Sequence, residues 1–358
     1  MKRPTLRCRA TLALAGVWLG VATAAAQDQT TFTVGTARAA RGQKAFGAIE
    51  VPAAADAGLS IPVAVIHGPR PGPVLALVAG SHGTEYASIL AVVRLIQSLE
   101  PASIRGTVIA VPLVNPRSFH AIVPHPHPVD GRNMNRRYPG SASGSQTDRA
   151  SALITREVLA RADYLIDFHG GDLDESLYPF AYWPRTGREA QDAASRAMVL
   201  AFGIDHIVLS TVRPPDASNL TSISGASSAR GTPTIIVEAG HAGTTEPDDI
   251  RVLVDGTASV MRQLEMIDGR PAPIERPVWI DRIERVPGGT NGVFQPLVRR
   301  GQYVEAGMKV GMVTDYFGRK IADAVSPVAG VVLFIRAVPS IASDETIAYI
   351  GPLAPPPR

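Results

Sequence analysis

The chain has 358 residues, long for one compact domain, so two are expected. Lys and Arg number 35 against 32 Asp and Glu, but the first 26 residues hold Lys2, Arg3, Arg7 and Arg9 and no acid, leaving 31 basic against 32 acidic residues beyond them. That balance gives no footing for nucleic acid or an anionic membrane surface, and with Cys8 as the sole cysteine the remainder has no disulfide, thiolate metal site or cysteine nucleophile.

The basic start runs into an apolar stretch from about Leu12 to Ala22, then Thr23-Ala24-Ala25-Ala26 before Gln27. Residues 1–26 therefore read as a secretory signal peptide cut after Ala26. The apolar run is shorter than the ~20 residues a membrane span needs. A periplasmic or secreted protein is expected, with no stable membrane association once the leader is gone.

The middle of the chain alternates short β-rich apolar runs with helical patterns, the mark of an α/β sheet flanked by helices. Pro73–Ala79 reads as a buried strand, Glu85–Leu99 as a helix, Gly106–Val114 as a strand and Ala150–Ala160 as a helix. Strands follow at Asp163–Phe168 and Thr232–Val237, and Asp248–Glu265 reads as a closing helix. The catalytic-sized domain spans residues 27–267. Residues 268–277 (DGRPAPIERP) are rich in proline, glycine and charge and read as a linker.

Beyond the linker the pattern changes to short strands between glycine turns: Gly292–Val298, Lys309–Val313, Gly330–Ile335 and Thr346–Ile350. Residues 278–351 therefore read as a smaller all-β domain, and residues 352–358 as a disordered tail. The spacing of Gly301, Val304, Gly307, Val310 and Gly311, followed by Ser326-Pro327-Val328-Ala329-Gly330, resembles the barrel-sandwich hybrid of biotinyl and lipoyl carriers. It lacks the Met-Lys-Met hairpin that carries the cofactor there, so a structural or gating module is expected.

Three apolar strands each deliver an ionisable group just past or at the carboxyl end: His82, His169 and Glu238. That end of an open α/β sheet is where ligands bind. His82 and Glu85, three residues apart where strand gives way to helix, can both face one ion. With His169 in Asp167-Phe168-His169-Gly170-Gly171 they complete the two-histidine, one-glutamate set of catalytic zinc, which keeps a fourth position open. The glycines after His169 allow a sharp turn and leave space beside the ion. Asp167, two residues back in an extended run, faces the same side and can orient an imidazole.

Glu238 ends a wholly apolar strand, a costly place for a carboxylate unless chemistry requires it. It is the candidate general base, taking a proton from water activated at the metal and passing it to the leaving amine. Asn133-Met134-Asn135-Arg136 offers substrate grip, because a guanidinium holds a carboxylate through two parallel hydrogen bonds. His125 and His127, flanked by prolines in a loop, read as rim residues.

Together these motifs resemble the succinylglutamate desuccinylase/aspartoacylase family of the zinc carboxypeptidase superfamily, over roughly Val74 to Gly243. The family's His-Gly-x-Glu matches His82-Gly83-Thr84-Glu85, its second metal histidine matches His169, and its catalytic glutamate matches Glu238. Its Asp-Leu-Asn-Arg block, followed by an aromatic and Pro-Gly, is similar to Asn133–Arg136 and then Tyr138-Pro139-Gly140. The resemblance implies a zinc carboxypeptidase-like mixed sheet and a single Zn2+. It also implies that Asn135 and Arg136 bind the substrate's carboxylate end. Asn133 stands where the family has aspartate, removing a charge that could buttress the arginine. The family's oxyanion-stabilising arginine, just before the block, is missing; Arg132 is the nearest substitute.

The resulting expectation is a zinc-dependent deacylase acting on the amide bond of an N-acyl amino acid or similar small carboxylate. A zinc carboxypeptidase acting on peptides or cell-wall fragments uses the same metal and base. A non-catalytic binding protein on a degenerate hydrolase fold is the alternative from another class. No oligomeric state is read from the sequence.

Overall fold

The computed structural model describes residues 30–211 and 220–357. The leader, residues 1–26, lies outside the described residues. No helix among the described residues is long and apolar enough to cross a membrane.

A mixed sheet runs through the molecule. Its main path is Glu284–Pro287, Thr346–Gly351, Gly330–Arg336, Glu175–Arg185, Thr234–His241, Tyr164–His169, Arg70–Ala79, Arg105–Val111, Leu59–His67 and Gln43–Val51. The four strands from Thr234–His241 to Arg105–Val111 are mutually parallel; those outside them join antiparallel. Three of these parallel strands are adjacent and carry His82, His169 and Glu238 at the same end of the sheet. Their near-continuous Val, Ile, Leu and Ala content suits strands covered on both faces.

One face packs against the helices Tyr86–Ser98, Glu189–Phe202 and Pro247–Gln263, around Leu75, Leu77, Val92, Leu95, Phe202 and Leu253. The other packs against the helix Gln146–Glu157 and the hairpin formed by Thr31–Val34 and Ala37–Ala40, around Ile61, Val78, Ile109 and Ile154. The helix Tyr86–Ser98 begins immediately after Glu85, which occupies its N-cap with non-helical backbone angles. Its carboxylate is thereby held at the junction of loop and helix.

The region after residue 278 has its own apolar cluster, including Phe294, Val310, Val313, Ile335 and Ile347. A four-stranded sheet of Lys320–Val325, Lys309–Thr314, Gly292–Pro296 and Ser340–Ile341 covers it. It is not a separate body on a free linker. Gly330–Arg336 pairs directly with Glu175–Arg185, and a shared cluster of Leu177, Phe180, Val208, Ile280, Leu333 and Phe334 fills the junction.

Two expectations about boundaries are corrected. The expected β-domain start at 278 coincides with a strand, Val278–Ile280, paired parallel to His206–Thr211 of the catalytic region. The expected linker is seated, with Asp268 bonded to Arg105, the Ala272 amide to Ser259 and the Ile274 amide to Leu200. The tail, expected to be disordered, returns to the sheet: Leu353 bridges to Ile280, the Ala354 amide donates to the Trp279 carbonyl, and Ala354 packs on the core. The backbone bond to Trp279 and the packing of Ala354 hold this proline-rich end on the sheet, while Leu353 stays exposed.

Candidate metal centre and active site

His82, Glu85 and His169 converge. Nδ1 of His82 lies 2.7 Å from Glu85 Oε1, and Nδ1 of His169 lies 3.1 Å from Glu85 Oε2. One donor atom from each residue falls within 4.8 Å of the others, and all three residues are buried. Burial pushes the Glu85 carboxyl upward, but the His169 and His82 imidazoles outweigh it and hold it down at about 2. An anion beside two imidazole nitrogens, away from water, matches the chemistry of a dication site.

The outer nitrogens also fit. Nε2 of His82 lies 3.3 Å from Asn133 Oδ1, an acceptor for the N–H left when Nδ1 is a ligand. Nε2 of His169 lies 3.5 Å from Asp167 Oδ1, and neither oxygen of this buried carboxylate has a hydrogen-bond partner. Asn133 thus serves His82 rather than buttressing Arg136, whose Nη1 donates to the Asn135 carbonyl at 2.7 Å.

Glu238 is the register partner of His169 on the neighbouring parallel strand. It lines the cavity, where desolvation pushes its carboxyl up to about 8 despite the opposing charge of His169, with Glu85 and Asp167 adding to the rise. The glycines after His169 have a further reason. A Cβ on Gly170 would strike the Ala239 carbonyl, and one on Gly171 would meet the Gly240 backbone at 2.5 Å. They let the strand bearing Glu238 approach the turn after His169.

The cavity holds about 490 Å³ and is lined by His82, Glu85, His169, Glu238, Asn135 and Arg136. Asn135 is buried and already engaged: its Oδ1 accepts from the Ile223 amide at 2.9 Å, and its Nδ2 lies 3.0 Å from His169 Nε2. The bond from the Ile223 amide fixes Asn135 in the cavity wall beside His169. Arg136 is exposed at the mouth.

The assignment of Arg132 to substrate is corrected. It is not part of the cavity lining; its Nη1 donates to Asp148 Oδ2 at 2.6 Å, beside Arg137 on Oδ1 at 2.8 Å. A bridge between Pro126 and Asn133 closes the loop and turns Arg132 outward.

Several residues escape sequence reasoning. His125 lines the cavity with its ring edge-on to His82, 4.5 Å between centroids, and its Nε2 lies 3.9 Å from Asp172 Oδ2. Burial and the neighbouring His82 push it down to about 4. His127, by contrast, is fully buried, and its Nδ1 accepts from the Val129 amide. Glu175 lines the cavity too, its carboxyl driven well above the usual range by burial and by Glu85 and Glu238. The far wall is Arg282, Ile283, Arg285 and Tyr349 from the C-terminal region, with Arg285 stacked 5.5 Å over the Tyr349 ring. No motif marks these, because they arrive through pairing between regions far apart in sequence.

A mixed α/β sheet flanked by helices, with two histidines and a glutamate at the ends of its parallel strands, defines the fold class. Residues 71–264, more than half of the chain, match the succinylglutamate desuccinylase/aspartoacylase catalytic domain, so the chain belongs to that family, whose named activities are deacylations of small acylated amino acids. The N-alpha-acetyl-L-2,4-diaminobutyric acid deacetylase of Halomonas elongata is 26% identical over 234 residues, covering 63% of this chain and 66% of that protein, just under two thirds of its length. Among solved structures, the succinylglutamate desuccinylase/aspartoacylase of Rhodobacter sphaeroides aligns with TM-score 0.78 at 22% identity, over 87% of this chain and 96% of that one. The product-bound Ectoine utilization protein EutE (DoeB) of Ruegeria pomeroyi aligns with TM-score 0.77 at 23% identity, over 86% and 94%. These structural likenesses establish the shared fold, C-terminal β region included.

Proposed function

We propose that this chain is a zinc-dependent deacylase that hydrolyses the amide bond of an N-acyl amino acid or related small carboxylate. One observation carries the reading: a buried His82–Glu85–His169 donor set with Glu238 in register beside His169. Zinc held by His82 Nδ1, the Glu85 carboxylate and His169 Nδ1 would supply a Lewis acid for the acyl oxygen and acidify water at the site.

The chain's own groups do the rest. Glu238 accepts the proton of the attacking water on its carboxylate and returns it to the departing nitrogen, a task suited to a carboxyl whose affinity for protons is raised by burial. Arg136, with Asn135 beside it in the cavity lining, holds the substrate carboxylate at the mouth so that the amide reaches the metal centre. Tyr182, half-buried in the cavity wall, has its hydroxyl pushed well above the ordinary value by desolvation and by Glu238, so it stays a donor.

Arg282, Ile283, Arg285 and Tyr349 add a second region's side chains to the lining of one cavity with the candidate ligands, which supports a small substrate over a peptide. The complete ligand set and Glu238 speak against a degenerate binding protein. The leader supports export to the periplasm, checked by fractionating cells that express the full chain.

The test is turnover by zinc-quantified protein on N-acetyl and N-succinyl amino acids, starting with N-acetyl-2,4-diaminobutyrate, alongside short peptides. Amine release that disappears on chelation and returns with zinc is expected. Hydrolysis of peptides alone would move the assignment to a carboxypeptidase; no hydrolysis of either class would leave only the binding protein.

A further inference from the structure

The strand that carries Glu238 does not run as a regular ladder at that point. Thr234–His241 pairs with Glu175–Arg185 up to Glu238 opposite Phe180 and resumes with Gly240 opposite Leu177, so Ala239 alone faces Tyr178 and Pro179. Proline has no amide hydrogen to give, and a bulge leaves backbone groups out of the ladder; buried carbonyls in that position need another donor. Gly240, with φ at +146°, takes a backbone conformation open to glycine and closed to other residues.

The donor comes from the C-terminal region. Arg300 Nη1 donates to the Leu177 carbonyl at 2.6 Å and to the Gly240 carbonyl at 3.1 Å, the two residues at which the ladder restarts. Asp249, in the first turn of the helix Pro247–Gln263, faces the same nitrogen at 3.5 Å and balances its charge. The turn that delivers Arg300 fits closely. Gly301, at φ +80°, donates to the Val332 carbonyl, and a Cβ there would fall 2.5 Å from the Tyr178 ring.

We propose that Arg300 is a positioning residue for Glu238: by bridging the carbonyls of both strands where the ladder restarts after the bulge, it holds the end of the base's strand at the distance the reaction requires. The proposal rests on the reading of Glu238 as general base. A guanidinium suits the task because its donors are rigidly arrayed, whereas an ammonium is a point charge on a flexible stem. The C-terminal β region would then act on the reaction from behind the sheet, in addition to walling the cavity.

The test uses the full zinc-loaded chain with Arg300→Met and Arg300→Lys, assayed on whichever N-acyl amino acid the wild type turns over. Misplacing a catalytic group by about 1 Å costs on the order of 100-fold, so Arg300→Met is expected to lower kcat by about 10- to 100-fold. KM and zinc content should stay within about twofold, and amide hydrogen exchange over residues 236–241 should quicken. Arg300→Lys should fall between the two, and it carries the test if Arg300→Met does not fold. Unchanged kcat and exchange would overturn the proposal. So would a loss of activity matched by lost zinc or by an equal rise in KM, since the arginine would then serve metal retention or substrate binding. If the wild type turns over no N-acyl amino acid, the deacylase reading fails while the exchange contrast still decides whether Arg300 holds the strand.

Discussion

Glu238 and His169 are register partners on adjacent parallel strands. Their side chains leave the sheet on one face, a strand spacing apart, so the proposed general base and one proposed metal ligand share a fixed separation set by backbone hydrogen bonds rather than by side-chain rotamers. The arrangement can be tested from several directions.

Glu238→Gln preserves shape and removes the proton acceptor. Zinc content should be unchanged while kcat falls by about 10²- to 10⁴-fold, the usual worth of a general base. Parallel metal analysis and steady-state rates check it; unaltered hydrolysis would end the assignment.

His82→Ala removes one of three ligands, and the purified protein should lose stoichiometric zinc. A variant that retains full zinc after dialysis would place His82 outside the metal's coordination.

Asn133 tests the outer support of His82. Asn133→Ala takes away the oxygen 3.3 Å from Nε2, and zinc affinity should weaken by about 10- to 100-fold. Asn133→Asp should tighten it, because a carboxylate makes the imidazole more basic. Competition with a chromogenic chelator reads both; equal affinities across the three proteins would detach Asn133 from the metal.

The pH dependence of the metal-free protein has a definite sign. Burial raises the Glu238 carboxyl from 4.5 to about 8 in the fold, so the folded state binds this proton more tightly than the unfolded state does. Its contribution is present in full below 4.5 and is lost as pH rises through 8. Metal-free wild type should lose thermal stability across that window more steeply than metal-free Glu238→Gln. Zinc should reduce the contrast, since a nearby cation favours the carboxylate. Parallel melting curves for the two metal-free proteins would contradict the burial argument.

Arg132, bonded to Asp148, should matter for stability and little for chemistry. The pair is partly exposed, so Arg132→Ala should cost no more than about 1 kcal/mol and leave kcat/KM within about twofold. A large loss of activity at unchanged melting temperature would return Arg132 to the substrate.

Much of this was legible in the sequence, for a physical reason. Buried parallel strands are continuous apolar runs, so the polar groups at their ends stand out, and His82, His169 and Glu238 could be placed without coordinates. What escaped depends on pairing between distant segments. The antiparallel hairpin of Gln43–Val51 and Leu59–His67, the bulge at Tyr178 and Pro179 and the arrival of Arg285, Tyr349 and Arg300 leave no local pattern. Arg132 misled because adjacency to Asn133 suggested a shared direction, which the loop closure at Pro126 reverses. His125 reaches the cavity for the same reason that Arg132 leaves it.

The direct pairing of Phe334, Ile335 and Arg336 with Leu177, Ser176 and Glu175 has a consequence for how the molecule tolerates truncation. A shortened chain ending near residue 267 would leave residues 175–177 as a bare strand edge next to Leu177 and Phe180, an invitation to intermolecular sheet growth. Both regions must therefore be synthesised and folded as one unit, and an isolated catalytic half is expected in inclusion bodies rather than in solution.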